Sequence, residues 1–331
     1  MVYVYKKKVG DKIYYYLRAS KRKGNKVMAR DIAYLGSSIE EVKRALEKLP
    51  KYSEQIRKAY KTISNFLESN RFMERVKVLK LKQDPFLRDK LIGIEACKLH
   101  YDGVFKKSPV LTQKDLIKNF IIEFAFNTTS IEGNTIKLEE ARELLEENLT
   151  PKNKTLREIY DLQNTERVIF KLLESKEELS HEQIIEVHKG LMQDIDARIG
   201  YRTRDVRVIR SNFEATPAPY VKTDMDILLK WYRENKSKLH PFVLASIFHH
   251  KFEKIHPFFD GNGRTGRMIL NYILMLNNYP LIIVHTKRRA KYLHALKAAD
   301  KTGLREISKD YGLLTDFLAD ELTDGYWGIF L

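Results

Sequence analysis

The chain has 331 residues and a mass of 39.0 kDa, and 43 % of its residues are hydrophobic, which suffices for one large domain and a smaller appendage. Its single cysteine, Cys97, excludes an intramolecular disulfide framework, and no apolar run approaches the length of a membrane span or a signal-peptide core. These features predict a cytoplasmic protein without a membrane segment, and the formal net charge of +16 raises the question of where that charge lies.

The first 38 residues predict a small, basic, β-rich domain. Segments rich in Tyr, Val and Ile are separated by the turn-forming pairs Gly10-Asp11 and Gly24-Asn25, which predicts three short strands. Residues 1 to 30 contain ten Lys and Arg against a single Asp, so most of the excess charge is local. Tyrosines interleaved with cations are typical of nucleic-acid-binding sheets. A solvated basic surface explains the same pattern, and no recognition motif decides between the two. The segment also faintly resembles the front part of some transposases.

A charged helical connector is predicted over residues 39–107. Ser38 is the predicted N-cap of its first helix, and Glu41 completes a capping box three residues later. Pro50 interrupts this helix, after which helical patterns continue. A boundary predicted at residue 108 separates the connector from a large C-terminal unit over residues 108–331.

Residues 206–222 predict a β-hairpin on the surface of that unit. Val206 and Val208 alternate with polar residues, which indicates a half-buried strand. Pro217 and Pro219 then stop regular strand pairing.

The twelve residues from 256 to 267 read HPFFDGNGRTGR and contain a predicted phosphate cradle. Gly261 and Gly263 lack a Cβ, so the backbone can adopt positive φ and direct successive N–H groups at an anion. The positions after them predict a helix whose positive end faces the glycines, because apolar residues recur at helical spacing: Met268, Leu270, Ile273, Leu274 and Leu276.

Charged residues flank this cradle on both sides. Arg264 and Arg267 are three positions apart on one helix face, where their planar guanidinium groups can bind different phosphates of one chain. Asp260 could hold Mg²⁺ that bridges phosphate oxygens. His256 is then available as a proton acceptor. The pattern therefore predicts a nucleotide-handling active site.

Three rival interpretations compete with this prediction. A protein-kinase glycine loop fits poorly, because no strand is predicted before it and no H-R-D sequence follows. Residues 261–266 spell G-x-G-x-x-G, the dinucleotide fingerprint, but that motif requires a preceding strand, and the apolar spacing before it predicts a helix. His249, His250 and His256 could ligate a metal, although no Cys and no H-E-x-x-H pattern accompany them.

HPFFDGNGRTGR resembles the signature of the Fic family, H-x-F-x-[DE]-G-N-G-R-x-x-R, at every specified position. The resemblance implies a mainly α protein: a Fic-type helical core with a β-hairpin flap, here joined to the small N-terminal β-rich domain. It also implies an enzyme that moves AMP from ATP to a Ser, Thr or Tyr hydroxyl of a target protein and requires Mg²⁺.

The resemblance further assigns a role to each matching residue. The implied roles are proton abstraction by His256, Mg²⁺ binding by Asp260, phosphate contacts from Asn262 and the amides of Gly261 and Gly263, outer-phosphate binding by Arg264 and Arg267, and core anchoring by Phe258.

Residues 127–135, NTTSIEGNT, resemble the inhibitory motif of the same family, [ST]-x-x-x-E-[GN]. Thr128, Glu132 and Gly133 occupy its specified positions. The resemblance implies that Glu132 pairs with Arg267 and keeps ATP from placing its γ-phosphate productively, so the enzyme would be autoinhibited. In some relatives the same glutamate orients a water that removes AMP from the modified target. A solvent-exposed Glu near a helix end is the alternative interpretation.

The resemblance extends to two further features. It makes the 206–222 hairpin a flap that holds a target segment by strand addition, whereas a plain surface hairpin is the alternative. It places Tyr292 at the wall of an adenine pocket, although neighbouring apolar residues at helical spacing fit core packing equally well.

A second class of function remains open on the sequence alone. The protein could be a nucleic-acid-binding regulator that contacts nucleic acid through residues 1–38 and uses the nucleotide pocket only as a sensor. The sequence does not determine the oligomeric state, and a homodimer is one alternative.

Overall fold

The computed structural model describes residues 2–10, 12–24, 26–206 and 214–331. Within these ranges the protein is mainly helical and carries one small sheet at its N-terminal end, as predicted. No helix in the described ranges is long and apolar enough to cross a bilayer.

The sheet is antiparallel, with three strands in sequence order. Gly10 and Gly24 adopt the left-handed conformation in the two turns, with φ of 61° and 62°. The strands are β1 (Val2–Val9), β2 (Lys12–Lys23) and β3 (Lys26–Gly36).

The helices that follow the sheet form its apolar cover and lead into the main core. Ser38 caps the first of them, because its Oγ accepts a hydrogen bond from Glu41 N at 3.3 Å. Ile39, Val42 and Ile63 are buried against the sheet. The helices are α1 (Ile39–Glu47), α2 (Ser53–Lys58), α3 (Tyr60–Lys77) and α4 (Lys90–Gly103).

α4 belongs to the main core as well as to the predicted connector. Leu91, Ile94 and Cys97 are buried in the same apolar cluster as the helices that follow. The domain boundary at residue 108 therefore remains a prediction, since packing is continuous across it.

Nine further helices build the large helical unit within the described residues. Two of them are central, because 12 of the 15 residues in each are buried, which is the pattern of a helix enclosed on all sides: α10 and α11. The nine are α5 (Val110–Ile131), α6 (Leu138–Glu147), α7 (Leu156–Glu174), α8 (His181–Leu191), α9 (Val221–Asn235), α10 (Pro241–Ile255), α11 (Asn262–Leu276), α12 (Arg289–Ala298) and α13 (Gly312–Phe330).

The first part of the predicted hairpin over 206–222, residues 207–213, lies outside the described residues. The C-terminal part of the predicted range is described and contains no strand. Ala218–Tyr220 form a 3-10 helix there, and α9 begins at Val221. Proline is favourable in the first turn of the 3-10 helix, because its fixed φ suits a helix start. The N–H that proline lacks would have no hydrogen-bond partner within the helix at this position.

Candidate active site

A tight loop joins α10 to α11 and contains the phosphate-cradle sequence. α10 ends at Ile255, and the next residue, His256, adopts a left-handed conformation with φ 54° and ψ 60°. Gly261, with φ 74°, leads into α11. The side chain of Asn262 braces the loop, because its Oδ1 accepts from Phe258 N at 2.8 Å and its Nδ2 donates to Phe258 O at 2.9 Å. The phosphate contact predicted for Asn262 would therefore come from its backbone.

His188 of α8 packs against this loop, and no sequence motif indicated it as a site residue. Its ring stacks on Phe258 with centroids 3.6 Å apart and planes 4° from parallel. Its Nε2 lies 3.0 Å from Asp260 O, and because a carbonyl only accepts, Nε2 carries the proton. Burial lowers the pKa of His188 to about 4, so the ring is neutral near pH 7. Phe258 anchors the loop in the core, as its aromatic position predicted.

Arg202 binds the backbone of the same loop. The sequence did not indicate it as a site residue either. Its side chain is buried, and its Nε donates to His256 O at 2.8 Å. Its backbone N donates to Pro257 O at 2.8 Å, while the guanidinium also donates to the carbonyl groups of Arg204 and Thr216. Sequence patterns could not reveal this role, because the partners are backbone carbonyls up to 54 residues away.

The protonation states of His256 and Asp260 suit a proton acceptor next to an anionic ligand. Burial lowers the pKa of His256 below its ordinary value, against the charges of Glu132 and Asp260, which act to raise it. A neutral imidazole near pH 7 can accept a proton. Burial opposes ionisation of Asp260, but the hydrogen bond from Arg157 and the charge of Arg264 hold its pKa below its ordinary value.

The first turns of α7 supply ionic partners for the signature residues. Arg157 pairs with Asp260, and Asp161 pairs with the buried side chain of Arg264. The T-x-x-E pattern of Thr155 and Glu158 forms a capping box that begins α7, so the helix start could be found from sequence. Which loop this turn faces could not be predicted from that pattern.

The start of α11 is open to an anion. No side chain of the described residues caps this helix, so its first N–H groups are available, and the helix dipole favours a negative charge there. A Cβ at Gly263 would collide with Glu132 Oε1 and would lie 3.0 Å from Arg267 Nη1, and one at Gly261 would lie 2.6 Å from Met192 Sδ and 3.7 Å from Arg264 Nη2. Both guanidinium groups therefore border the glycine turn.

The segment predicted to be inhibitory lies against this turn. Glu132 follows the last residue of α5, and its Oε1 is 2.7 Å from Arg267 Nη2. Thr128 accepts two further hydrogen bonds from Arg267, one at Oγ1 from Nε at 2.8 Å and one at its carbonyl from Nη2 at 2.9 Å. Gly133, with φ 107°, turns the chain away from α5. The Arg267 side chain is 3 % exposed and that of Glu132 is 44 % exposed.

A second carboxyl group, Glu253 of α10, lies beside this ion pair. Burial raises the pKa of Glu253 to about 8, although the charge of Arg267 acts to lower it. The group is therefore a neutral acid at pH 7. Nothing in its sequence surroundings indicated this, because its burial depends on helices distant along the chain.

Tyr292 and the neighbouring histidines lie in the interior. Tyr292 is buried, and its hydroxyl oxygen is 2.6 Å from His249 Nε2. His250 Nε2 is 3.2 Å from Asp300 Oδ1. No cluster of three or more metal-binding side chains occurs in the part of the chain that the structure describes, so the histidine metal site finds no support there. The adenine-wall role of Tyr292 stays a prediction.

The described fold is that of a mainly α-helical protein with a glycine turn between two buried central helices. Residues 178–274 match the Fic/DOC family, which includes the whole α10–loop–α11 segment. Residues 178–274 are therefore similar to the Fic/DOC family, and the predicted family resemblance is confirmed.

Curated relatives and a solved structure agree with this assignment. The chain is 32 % identical over 196 residues to the protein adenylyltransferase Fic of Drosophila ananassae, an alignment that covers 57 % of this chain and 39 % of the relative. It is 31 % identical over 188 residues to the protein adenylyltransferase fic-1 of Caenorhabditis elegans, covering 55 % and 37 %. The chain thus spans less than half the length of these relatives.

The fold is also similar to a solved Fic-domain-containing signalling protein from Bacteroides thetaiotaomicron. The TM-score is 0.65 at 23 % sequence identity, and the superposition covers 71 % of this chain and 95 % of the other.

Proposed function

We propose that the protein is an autoinhibited protein adenylyltransferase, which moves AMP from ATP to a Ser, Thr or Tyr hydroxyl of a target protein. The observation that carries this proposal is that the guanidinium groups of Arg264 and Arg267 border the glycine turn beside Asp260, on the same short loop that begins at His256. Two relatives that are 31–32 % identical bear the name protein adenylyltransferase, which supports the same chemistry.

His256 takes the proton of the target hydroxyl in this proposal. The hydroxyl oxygen attacks the α-phosphorus, the bond from that phosphorus to the bridging oxygen breaks, and pyrophosphate leaves. Such a transfer depends mainly on positioning and on charge stabilisation. The hydrogen bond from Arg202 Nε to the carbonyl of His256 would hold the backbone of the base in position.

The turn and its arginines would hold the phosphates. The open N–H groups of α11 and the guanidinium groups of Arg264 and Arg267 supply donors to a polyphosphate. Asp260 would hold Mg²⁺, which neutralises phosphate charge when bound; a single carboxylate is a sufficient protein ligand for this ion, because substrate phosphates and waters supply the rest. The low pKa of Asp260 keeps it anionic, as this role requires.

Autoinhibition would follow from the contact of Glu132 with Arg267. A guanidinium that already donates to Glu132 and Thr128 has fewer donors left for a γ-phosphate. The restrained form therefore binds nucleotide without the alignment that transfer needs.

The target would be held at residues 206–222, which follow Arg202 in the chain. This assignment rests on the family resemblance and not on described strands. A homodimer, with one protomer modifying its partner, is a further arrangement that we propose to test by including catalytically dead protein as a target.

Incubation with ATP labelled at the α-phosphate tests the proposal. The Glu132→Gly variant should label itself or a partner roughly ten- to a hundredfold more than the unaltered protein, because a hydrogen bond to a charged group is worth about 1.5–3 kcal/mol and each 1.4 kcal/mol is a factor of ten. Adding His256→Ala should lower the label by about 10²- to 10⁴-fold, the usual contribution of a general base.

Glu147→Gly is the matched control, because it removes another exposed carboxylate at a helix end. It should leave labelling at the restrained level. Absence of label with Glu132→Gly, or label that survives His256→Ala, would overturn the proposal. Intact-mass measurement with each nucleoside triphosphate identifies the donor.

We also propose that the same pocket removes AMP from modified target. The carboxylate of Glu132 is close to half exposed, so water can reach it next to the phosphate cradle. Purified modified target should lose label with the unaltered protein and keep it with Glu132→Gly. Equal loss with both proteins would exclude Glu132 from the reaction.

A further inference from the structure

The N-terminal sheet has one covered face and one open face. Val4, Tyr15 and Leu17 are buried on the covered face, beneath α1 and α3. Because directly paired residues of antiparallel strands share a face, Tyr5, Tyr16 and Tyr34 lie in a row across the open face.

The open face is unusually rich in aromatic rings for a surface. The rings of Tyr16 and Tyr34 have centroids 5.5 Å apart, and those of Tyr14 and Tyr34 are 6.3 Å apart. Arg18 adds a planar guanidinium, which lies 3.6 Å above the ring centroid of Tyr5. Tyr34 is 55 % exposed. Because Arg18 covers one face of the Tyr5 ring, the stacking positions for a planar ligand lie mainly at Tyr16 and Tyr34.

The charge around this face is strongly positive. Residues 1 to 36 contain ten Lys and Arg against two Asp. One of the two, Asp31, is neutralised by Arg18 at 2.6 Å. Several cations at both ends of the strands form no ion pair with the described residues and are exposed: Lys7, Lys8, Lys12, Lys21, Lys26 and Arg30.

The β2–β3 hairpin extends this surface beyond the helices that cover the sheet. Lys26 to Asp31 are all exposed, so neither face of the hairpin tip is covered there. Val27 and Met28 are 69 % and 64 % exposed in the middle of this basic tip. Apolar side chains among cations suit a ligand that has both flat apolar rings and a charged backbone.

We propose that the open face of the N-terminal sheet, with the β2–β3 hairpin, binds single-stranded nucleic acid. Bases stack on the tyrosine row because every base has a π face, and the unpaired cations at the strand ends meet the phosphates. A duplex keeps its bases paired and presents no free faces to the row. An anionic lipid surface would satisfy the cations but gives the tyrosine row no planar groups to stack on.

Fluorescence anisotropy of labelled oligonucleotides with the full chain tests this site. The probes are a 20-nucleotide dT strand, the matching rU strand and a 20-base-pair duplex, each measured at 50 and 200 mM salt without added nucleotide. Both single strands, or one of them, should bind more tightly than the duplex. Affinity should fall with salt, with a slope of about 0.7 for each phosphate contacted.

Tyr34→Ala combined with Tyr16→Ala should weaken single-strand binding by about tenfold or more, because stacking on an aromatic ring is a large part of the affinity at such sites. Tyr60→Ala is the matched control, since Tyr60 is 69 % exposed on α3, outside the sheet. Thermal unfolding of each variant verifies that the sheet is intact.

Four outcomes would overturn the proposal: no binding to either strand, equal or tighter binding of the duplex, binding that survives the double variant, or binding to vesicles of anionic lipid without binding to oligonucleotides. None of them bears on the proposed AMP transfer, because His256 and the phosphate cradle are unchanged in every variant.

Discussion

At the scale of single residues, the surroundings of Arg267 combine one anionic carboxylate with one neutral acid. Glu132 is the charged partner at 2.7 Å. Glu253, whose pKa burial raises to about 8, stays protonated near pH 7 and adds no second negative charge. Among the described residues, Glu132 is therefore the anionic partner of Arg267, and its loss leaves a buried cation that can bind another anion.

Replacing Glu253 with Gln should flatten the dependence of stability on pH. The folded-state pKa, about 8, lies above the ordinary value of 4.5, so between these values the folded state holds a proton that the unfolded state has lost. The free energy of unfolding therefore falls as pH rises from 4.5 towards 8. Thermal unfolding midpoints measured across this range should decline less steeply in Glu253→Gln than in the unaltered protein.

The control for this series is Glu139→Gln, which replaces an exposed carboxylate on α6. It should reproduce the slope of the unaltered protein. If Glu253→Gln also reproduced that slope, the buried carboxyl would not titrate in this range.

Arg202 should act as a positioning residue for His256. Lys keeps the charge but cannot reproduce a fork that donates to several carbonyls, so Arg202→Lys should lower stability by roughly 3 kcal/mol and reduce transfer. The charge of Arg202 contributes to the lowered pKa of His256. In a Glu132→Gly background, the acid limb of the pH profile of transfer should thus move to higher pH with Arg202→Met and stay in place with Arg202→Lys.

A common shift in both variants would show that the effect is general damage to the fold and not the loss of a charge next to the base. Denaturant unfolding of both proteins measures that damage independently.

At the scale of elements, the start of α7 connects three parts of the site. Arg157 pairs with Asp260 and Asp161 with Arg264. Glu158 anchors the last residue of the segment predicted to be inhibitory, because its Oε1 accepts from Thr135 N at 2.9 Å and from Thr135 Oγ1 at 2.6 Å. These hydrogen bonds, with those from Thr155, hold the pKa of Glu158 down to about 2.

Glu158→Gln should loosen the inhibitory segment without touching the cradle. A Gln side chain offers a single acceptor oxygen, so some of the four donors from Thr135 and Thr155 lose their partner. A hydrogen bond to a charged group is worth about 1.5–3 kcal/mol, and part of the loss should weaken the Glu132–Arg267 pair. Labelling from ATP should therefore rise severalfold when Glu132 is present.

The same substitution made together with Glu132→Gly should add nothing, because no inhibitory carboxylate remains to be loosened. An equal increase in both backgrounds would mean that Glu158 acts on catalysis directly.

How much of the site was predictable depended on the distance between partners along the chain. The glycine turn and the helix after it were predictable, because backbone freedom and apolar spacing are local properties of residues 256–267. The pairing of Glu132 with Arg267 came only from family resemblance, since 135 residues separate them. Arg157 and Arg202 were missed, because their partners are 103 and 54 residues away and local spacing does not indicate which surfaces meet. The hairpin stays a prediction, because residues 207–213 lie outside the described residues. Pro217 and Pro219, which are predicted to end strand pairing, lie at the start of a 3-10 helix.

At the scale of the whole molecule, a small aromatic cluster joins α3 to α4 and to the C-terminal helix α13. Phe72 of α3 is buried, with its ring 5.0 Å from that of His100 on α4 and 6.3 Å from that of Trp327 on α13. The sheet packs on α1 and α3, so this cluster connects the sheet to the main core.

Phe72→Ala should lower the free energy of unfolding by about 3–5 kcal/mol, because a large buried ring leaves a cavity between three helices. Denaturant unfolding followed by far-UV circular dichroism and tryptophan fluorescence measures this loss. Phe170→Ala is the control; Phe170 is 42 % exposed on α7, and its removal should change stability by about 0.5 kcal/mol or less. A comparable effect from both variants would exclude a special role for the cluster.

Arg202 donates to carbonyl groups on both sides of residues 207–213 and to the carbonyl of His256. A protein that docks on this stretch and displaces Arg204 or Thr216 therefore changes the hydrogen bonds that set the imidazole in place. Thermodynamic linkage makes such an effect mutual: whatever factor the docked protein contributes to nucleotide affinity, the nucleotide contributes to docking. Binding of the target protein and binding of the nucleotide would then be one coupled equilibrium. The coupling could be measured by titrating either ligand in the presence and absence of the other.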